Sequence, residues 1–244
     1  YYISSLISEV SPWYILNGKV KRLTAAFGSM HYQPGATIIA TQSASVAPPV
    51  ENCVDYIFTD PPFGENIYYA DLNYLVESWH NVRTNSVPEA IIDQAKHKDL
   101  YDYQALMWQA FSSYYRWLKP GHWLTVEFHN SHNAVWNAIQ EALSSAGFVV
   151  ADVRTLDKQQ SSYRQVTADS AAKQDLVISA YKPLAAFEQR FIAEGGSLNG
   201  AWDFIQQHLE QLPLPTLREG VIEKQDERQA YLLYDRMVAF HIRH

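Results

Sequence analysis

Residues 54–63 read VDYIFTDPPF, and the way this stretch ends decides how the chain around it is read. Its first six residues are β-branched or aromatic apart from one aspartate, the composition of a strand that is at least half-buried. Asp60 follows. Pro61 and Pro62 then stop the strand, because neither carries an N–H for a ladder. A carboxylate is therefore carried on the residue where the strand ends, pointing into whatever lies beyond the sheet.

Downstream, apolar residues in 100–118 recur at spacings of three and four (Leu100, Tyr103, Met107, Phe111, Tyr114, Leu118), which predicts an amphipathic helix closed by Lys119-Pro120-Gly121. A strand is expected over 123–128, a helix over 134–146 ended by Gly147, and strands over 148–153 and 176–181. Upstream, ATIIAT at 36–41 reads as a strand, 70–79 as a helix, and 19–30 is ambiguous. Strands alternating with helices predict an α/β fold with a mostly parallel, doubly wound sheet. Ligands of such sheets sit beyond the carboxyl ends of the strands, which puts Asp60 at the mouth of a pocket. After Pro183 the pattern turns helical, over 187–193, 201–212 and 227–242. The expected organisation is a catalytic region over 1–183 and a helical appendage over 184–244.

Composition narrows the function classes. With 47% hydrophobic residues the chain can bury a real core, and no apolar run reaches the roughly 18 residues of a membrane span. Residues 1–5 have neither the basic start nor the apolar run of a secretion signal, so a cytoplasmic location is expected. Cys53, the single cysteine, excludes an internal disulfide, and the nine histidines show no metal-ligand spacing, so no metal is expected. A formal net charge of −7 opposes non-specific nucleic-acid binding, although it permits a local basic patch.

Asp60-Pro61-Pro62-Phe63 suits a particular chemistry. An exocyclic amine on a nucleobase is a poor nucleophile, because its lone pair is conjugated into the ring. A carboxylate and a rigidly placed carbonyl, each accepting one N–H, would draw the nitrogen toward tetrahedral geometry and free the lone pair. Proline fixes φ and so pre-orients such a carbonyl. An aromatic side chain next to it would stack on the base once the base is flipped out of a duplex.

DPPF also matches the pattern (D/N/S)-P-P-(Y/F/W), and in this respect the chain resembles the S-adenosylmethionine-dependent amino-methyltransferases. YRWLKPGHWLTVEFHN at 115–130 is similar to the helix, turn and strand that follow that motif in the family, and KQDLVISAYKP at 173–183 is similar to its closing strand. The resemblance covers 36–183, and FTDPPFGENIYYADLNYLVESWH is most like bacterial DNA methylases. It implies a Rossmann-like methyltransferase sheet, S-adenosylmethionine as methyl donor and DNA as partner. It makes Asp60 and the Pro61 carbonyl the amine acceptors, Pro62 the residue that keeps the turn rigid and Phe63 the stacking platform. Asp in the first position is commoner among adenine-N6 enzymes than among cytosine-N4 enzymes, which favours adenine. RNA or a protein amide as acceptor, and a non-catalytic partner subunit, are the alternative readings.

The family's glycine-rich cofactor loop does not occur here: Gly28 has no partner glycine, and Gly195-Gly196 lies between predicted helices. The cofactor-binding residues are therefore unassigned. With no Met at position 1, the expectation is a fragment whose cofactor half was encoded upstream. Asn66, Tyr68 and Tyr69 follow the motif directly and His129 and Asn130 follow the next strand, so all five are candidates for the same pocket. The long polar stretch 159–173 carries Arg164 and Lys173, with Arg154 and Lys158 just before it, and is a candidate for phosphate contacts. Cys53 precedes the strand and reads as a small residue in the turn that enters it.

Overall fold

A computed structural model of the chain describes residues 10–29, 37–47, 49–65, 67–130, 132–156, 175–193, 197–214, 217–218, 221–222 and 226–243. It divides into two compact units, Tyr1–Gln42 and Ser43–His244. In the first, helix α1 spans Pro12–Ser29 and buries none of its residues. The strand expected at 36–41 is not formed: residues 37–42 are irregular, with Ile38 and Ile39 more than nine-tenths exposed. β-propensity expresses a fit to a pleated, half-buried surface, and among the described residues no strand pairs with this segment.

The second unit holds a four-stranded sheet of β1 (Val54–Thr59), β2 (Leu118–Phe128), β3 (Val149–Leu156) and β4 (Asp175–Tyr181), in the order β1-β2-β4-β3. β1 pairs parallel with β2, while β4 runs antiparallel to both β2 and β3. Three strands thus point one way, and β4 is inserted between two of them in the opposite sense. Two crossover helices, α3 (Leu100–Trp117) and α4 (Asn133–Ala146), connect the co-directional strands. Between β1 and α3 lie α2 (Tyr69–His80) and a single 3₁₀ turn, Gln94–Lys96.

Alternation along the strands separates two cores. Leu124, Val126, Phe128, Val150, Ile178 and Ala180 face α3 and α4. Val149, Ala151 and Tyr181, with Trp123 beside them, face the other way. That second face is covered by α5 (Ala185–Ala193), α6 (Leu198–Gln211) and α7 (Ala230–Arg243), which contribute Phe187, Phe191, Phe204, Leu233 and Phe240. The ring of Phe240 meets Phe187, Phe191 and Phe204 with centroids 4.9–5.4 Å apart. Burying each such ring contributes about 1.5–3 kcal/mol. The helices expected after residue 184 therefore close one side of the sheet, and the fold is a mixed α/β one with helices on both faces. A short hairpin, β5 (Leu217–Arg218) and β6 (Val221–Ile222), interrupts them.

Local chemistry sets the boundaries. α3 begins in a capping box in which Asp99 accepts from the Asp102 N–H and Asp102 accepts from the Asp99 N–H. The sequence assigns Lys119-Pro120-Gly121 to the closing turn of that helix, but in the structure the helix stops at Trp117 and these residues open β2. Pro120 disfavours helical backbone before it. Lys182 completes the change, since its ammonium takes the Tyr115 and Leu118 carbonyls at the end of the helix (2.7 and 3.0 Å), while Gly121 N–H and Lys182 N–H extend the pairing of β2 with the end of β4.

Candidate functional site

Because β1 and β2 run parallel with Thr59 opposite Val126, the residues after Thr59 and those after Phe128 leave the sheet at the same end. This is where Asp60-Pro61-Pro62-Phe63 lies. Asp60 is exposed, Pro61 is buried, and Pro62 and Phe63 are half-buried. Gly64 closes the turn with φ +86°, and its carbonyl accepts from the Ile92 N–H at 3.3 Å. A side chain at position 64 would be strained by that φ, and its Cβ would lie 3.3 Å from Ile92 and 3.4 Å from Val135.

Two further carbonyls of the turn are held from outside. The Tyr103 hydroxyl, on α3, donates to the Pro62 carbonyl at 2.7 Å, and Asn130 Nδ2 donates to the Phe63 carbonyl at 2.6 Å. The other atom of the same amide, Asn130 Oδ1, accepts from the His132 N–H at 2.7 Å, which fixes its orientation. Tyr103 is fully buried, and burial holds its hydroxyl well above the usual phenol range, so it stays a donor. Among the described residues, nothing donates to the Pro61 carbonyl.

Phe63 is fixed by its neighbours. Its ring stands edge-on to Phe128, 5.5 Å between centroids, and tilted 6.0 Å from His129. His129 Nδ1 lies against Asp175 Oδ1, and Asp175 is buried at the start of β4. The insertion of β4 beside β2 brings this pair together, with Phe128 opposite Leu176 in the ladder. His129 therefore borders the motif through Phe63, and Asn130 is bound to it.

The residues after the motif divide. Tyr68 is half-buried, donates to the Ile92 carbonyl at 3.3 Å and carries Lys96 Nζ 5.4 Å from its ring centroid. Burial, reinforced by Asp93 and Glu65, raises its pKa, so it serves as a neutral tie to the loop before α3. Tyr69 is exposed at the first turn of α2. Glu89 reaches back from that loop to accept from the Ala70 N–H at 3.0 Å, supplying the cap that Tyr68 does not. Asn66, Arg164 and Lys173 lie outside the described residues. Arg154 is ion-paired with Asp152. Cys53 is exposed where the chain enters β1, at the end of the strand away from Asp60.

Tyr103, Gly64 and Asp175 complete the site without having been singled out in the sequence. Tyr103 occupies a core position in the apolar stripe, where Phe would give the same periodicity, so its hydroxyl leaves no pattern. Gly64 could have been found, since a glycine directly after a Pro-Pro turn is where positive φ is expected. Among the described residues there is no group of three or more His, Cys, Asp or Glu that could hold a metal ion, and no helix long and apolar enough to cross a membrane.

No family model and no curated protein matches the chain. Similar solved structures include an S-adenosylmethionine-dependent methyltransferase from Methanosarcina mazei, 14% identical over 66% of this chain and 76% of its own, with a TM-score of 0.37. A proposed DNA modification methylase from Thermus thermophilus is 12% identical over 64% of this chain and 57% of its own, with a TM-score of 0.33. The antibiotic-resistance methyltransferase Kmr is 15% identical over 58% and 59%, with a TM-score of 0.30. At these scores the similarity is remote, and the functional reading rests on the residues of the site.

Proposed function

We propose that this chain carries the methyl-acceptor side of an S-adenosylmethionine-dependent methyltransferase acting on an exocyclic amine of a DNA base, adenine N6. The observation that carries the reading is the rigid turn after β1, with an exposed carboxylate on Asp60 and a Pro61 carbonyl that no described donor occupies. Asp60 and that carbonyl would each accept one N–H of the amine, and Phe63 would support the plane of the base. Together they raise the lone-pair character of the nitrogen and hold it in line for attack, a gain of orientation rather than of acid–base chemistry.

S-adenosylmethionine, when bound, supplies an electrophilic methyl group. Among the described residues no glycine-rich turn follows a strand to cradle it, so no residue of this chain is assigned to the donor. Adenine is favoured over cytosine by the Asp at the first motif position. An RNA or protein-amide acceptor keeps the same chemistry, while the net charge of −7, unfavourable for phosphate contacts, supports the non-catalytic partner.

The test supplies wild-type protein and Asp60→Ala with S-adenosylmethionine labelled on the methyl group and with separate pools of DNA, RNA and protein, followed by nucleoside analysis. Label in DNA as N6-methyladenine, lost in Asp60→Ala, is the expected outcome. Label confined to RNA or protein would keep the chemistry and replace the substrate. No label in any pool, together with no binding of the donor, would leave the non-catalytic partner.

A further inference from the structure

Pro61 and Pro62 create a difficulty that the rest of the fold has to resolve. Neither has an N–H, so the turn that carries the site cannot anchor itself through its own amide donors at those two positions. Rigid φ angles fix the shape of the turn but not its placement against the sheet. Placement has to come through its carbonyls, and the donors have to be imported from other elements. The structure shows three such donors on successive carbonyls: the Tyr103 hydroxyl on Pro62, Asn130 Nδ2 on Phe63 and the Ile92 N–H on Gly64, of which the first two are side chains.

We infer that Tyr103 and Asn130 are positioning residues, which pin the Asp60–Gly64 turn to α3 and to the end of β2 so that Asp60 and the Pro61 carbonyl face the methyl acceptor; this rests on the methyl-transfer reading above. Their arrangement separates anchoring from binding. They take the Pro62 and Phe63 carbonyls and leave that of Pro61 to the methyl acceptor. They also come from two different elements, which fixes the turn against rotation as well as translation.

Each donor has a reason to stay where it is. Tyr103 is fully buried in the core that α3 and α4 share with the sheet, with Met107 and Phe111 on the same stripe. Asn130 is locked by its second bond, to the N–H of His132 at the head of α4. Gly64 contributes separately, because the turn needs its φ of +86° and a Cβ there would lie 3.3 Å from Ile92.

The test uses two substitutions that remove one donor each and little else. Tyr103→Phe deletes only the hydroxyl. Asn130→Asp keeps an oxygen for the His132 N–H and replaces the donor that faces Phe63 by an acceptor. Both are compared with wild type by hydrogen–deuterium exchange of the peptide covering 57–69, and by kcat and KM for methyl transfer. The expected result is faster exchange confined to that peptide, with kcat reduced between about tenfold and about a hundredfold and KM for the methyl donor unchanged. Unaltered exchange in both variants would overturn the inference, as would altered exchange with kcat intact in an active wild type. A wild type that transfers no methyl group, with exchange still altered locally in both variants, would place the failure on the methyl-transfer reading and leave the anchoring in place. Unfolding of Tyr103→Phe would shift the decision to Asn130→Asp, which lies outside the core.

Discussion

His208 makes stability depend on pH in a way the structure defines. Its ring is fully buried on α6, stacked on Phe204 with 5.6 Å between centroids and an 11° interplanar angle. Nδ1 shares a hydrogen bond of 2.9 Å with the Tyr181 hydroxyl, and among the described residues Nε2 has no hydrogen-bond partner. Burial disfavours the imidazolium, and the positive charges of Arg236 and Arg228 add to the effect, so its pKa falls from 6.5 to about 4. In the folded protein the ring is neutral down to that pH, whereas in the unfolded chain it protonates as pH falls through 6.5. Between the two values the unfolded state binds more protons, so stability falls as pH falls. At 1.36 kcal/mol per pH unit, the full effect is about 3 kcal/mol, absent above pH 6.5 and complete below about 4. The assay is urea unfolding from pH 7 to 4.5 for wild type and His208→Gln, which keeps a polar group for Tyr181 and does not titrate. Carboxylates titrate in both proteins and cancel in the difference. The variant should gain on wild type by about 2–3 kcal/mol between pH 7 and 4.5; a difference that stays flat across the range would refute the assignment of a buried neutral imidazole.

Lys182 is buried with its ammonium shared among Asn52 Oδ1, the Tyr115 carbonyl and the Leu118 carbonyl, and lies 4.4 Å from the centre of the Tyr115 ring. Lys182→Met keeps the stem and leaves three acceptors unmet. Urea unfolding should show a loss of about 1–3 kcal/mol, limited by the relief of burying a charge. Gly147 ends α4 with φ +114°, and a Cβ there would lie 2.7 Å from the Tyr115 ring. Gly147→Ala should cost about 1–3 kcal/mol through strain and displacement of that ring, read as a drop in the thermal midpoint.

What the sequence made legible was what periodicity and punctuation encode. The stripe from Leu100 to Leu118 produced α3 to within a residue, and Gly147 ended α4 where it was expected to. The antiparallel sense of β4 was not legible, because DLVISAY reads as a buried strand whichever way it runs. Its insertion between β2 and β3 depends on which neighbours supply a ladder. ATIIAT shows the converse: its described residues, 37–41, stay irregular despite their β-propensity, and among the described residues no strand pairs with them.

The site divides along the same line. The position of Asp60 and the two prolines at the end of β1 could be read in advance, because prolines cannot continue a ladder and the carboxylate precedes them. Asn130 could be placed near them once β1 and β2 were taken as parallel neighbours, since both strands discharge at one end of the sheet. Tyr103 could not, because its backbone position is set by the apolar stripe while its function resides in one oxygen atom, and a stripe reports only which side of a helix is buried. The same holds for Lys182 and His208, two polar groups in positions that the pattern reads as core or strand edge. In each case the decisive fact is a partner distant in sequence: Tyr103 and Pro62 are 41 residues apart, Lys182 and Asn52 130. Single-chain patterning carries no information at that range. The anchoring of the Pro-Pro turn is therefore a property of the assembled sheet and helices, and the catalytic reading of four consecutive residues depends on donors that no local pattern announces.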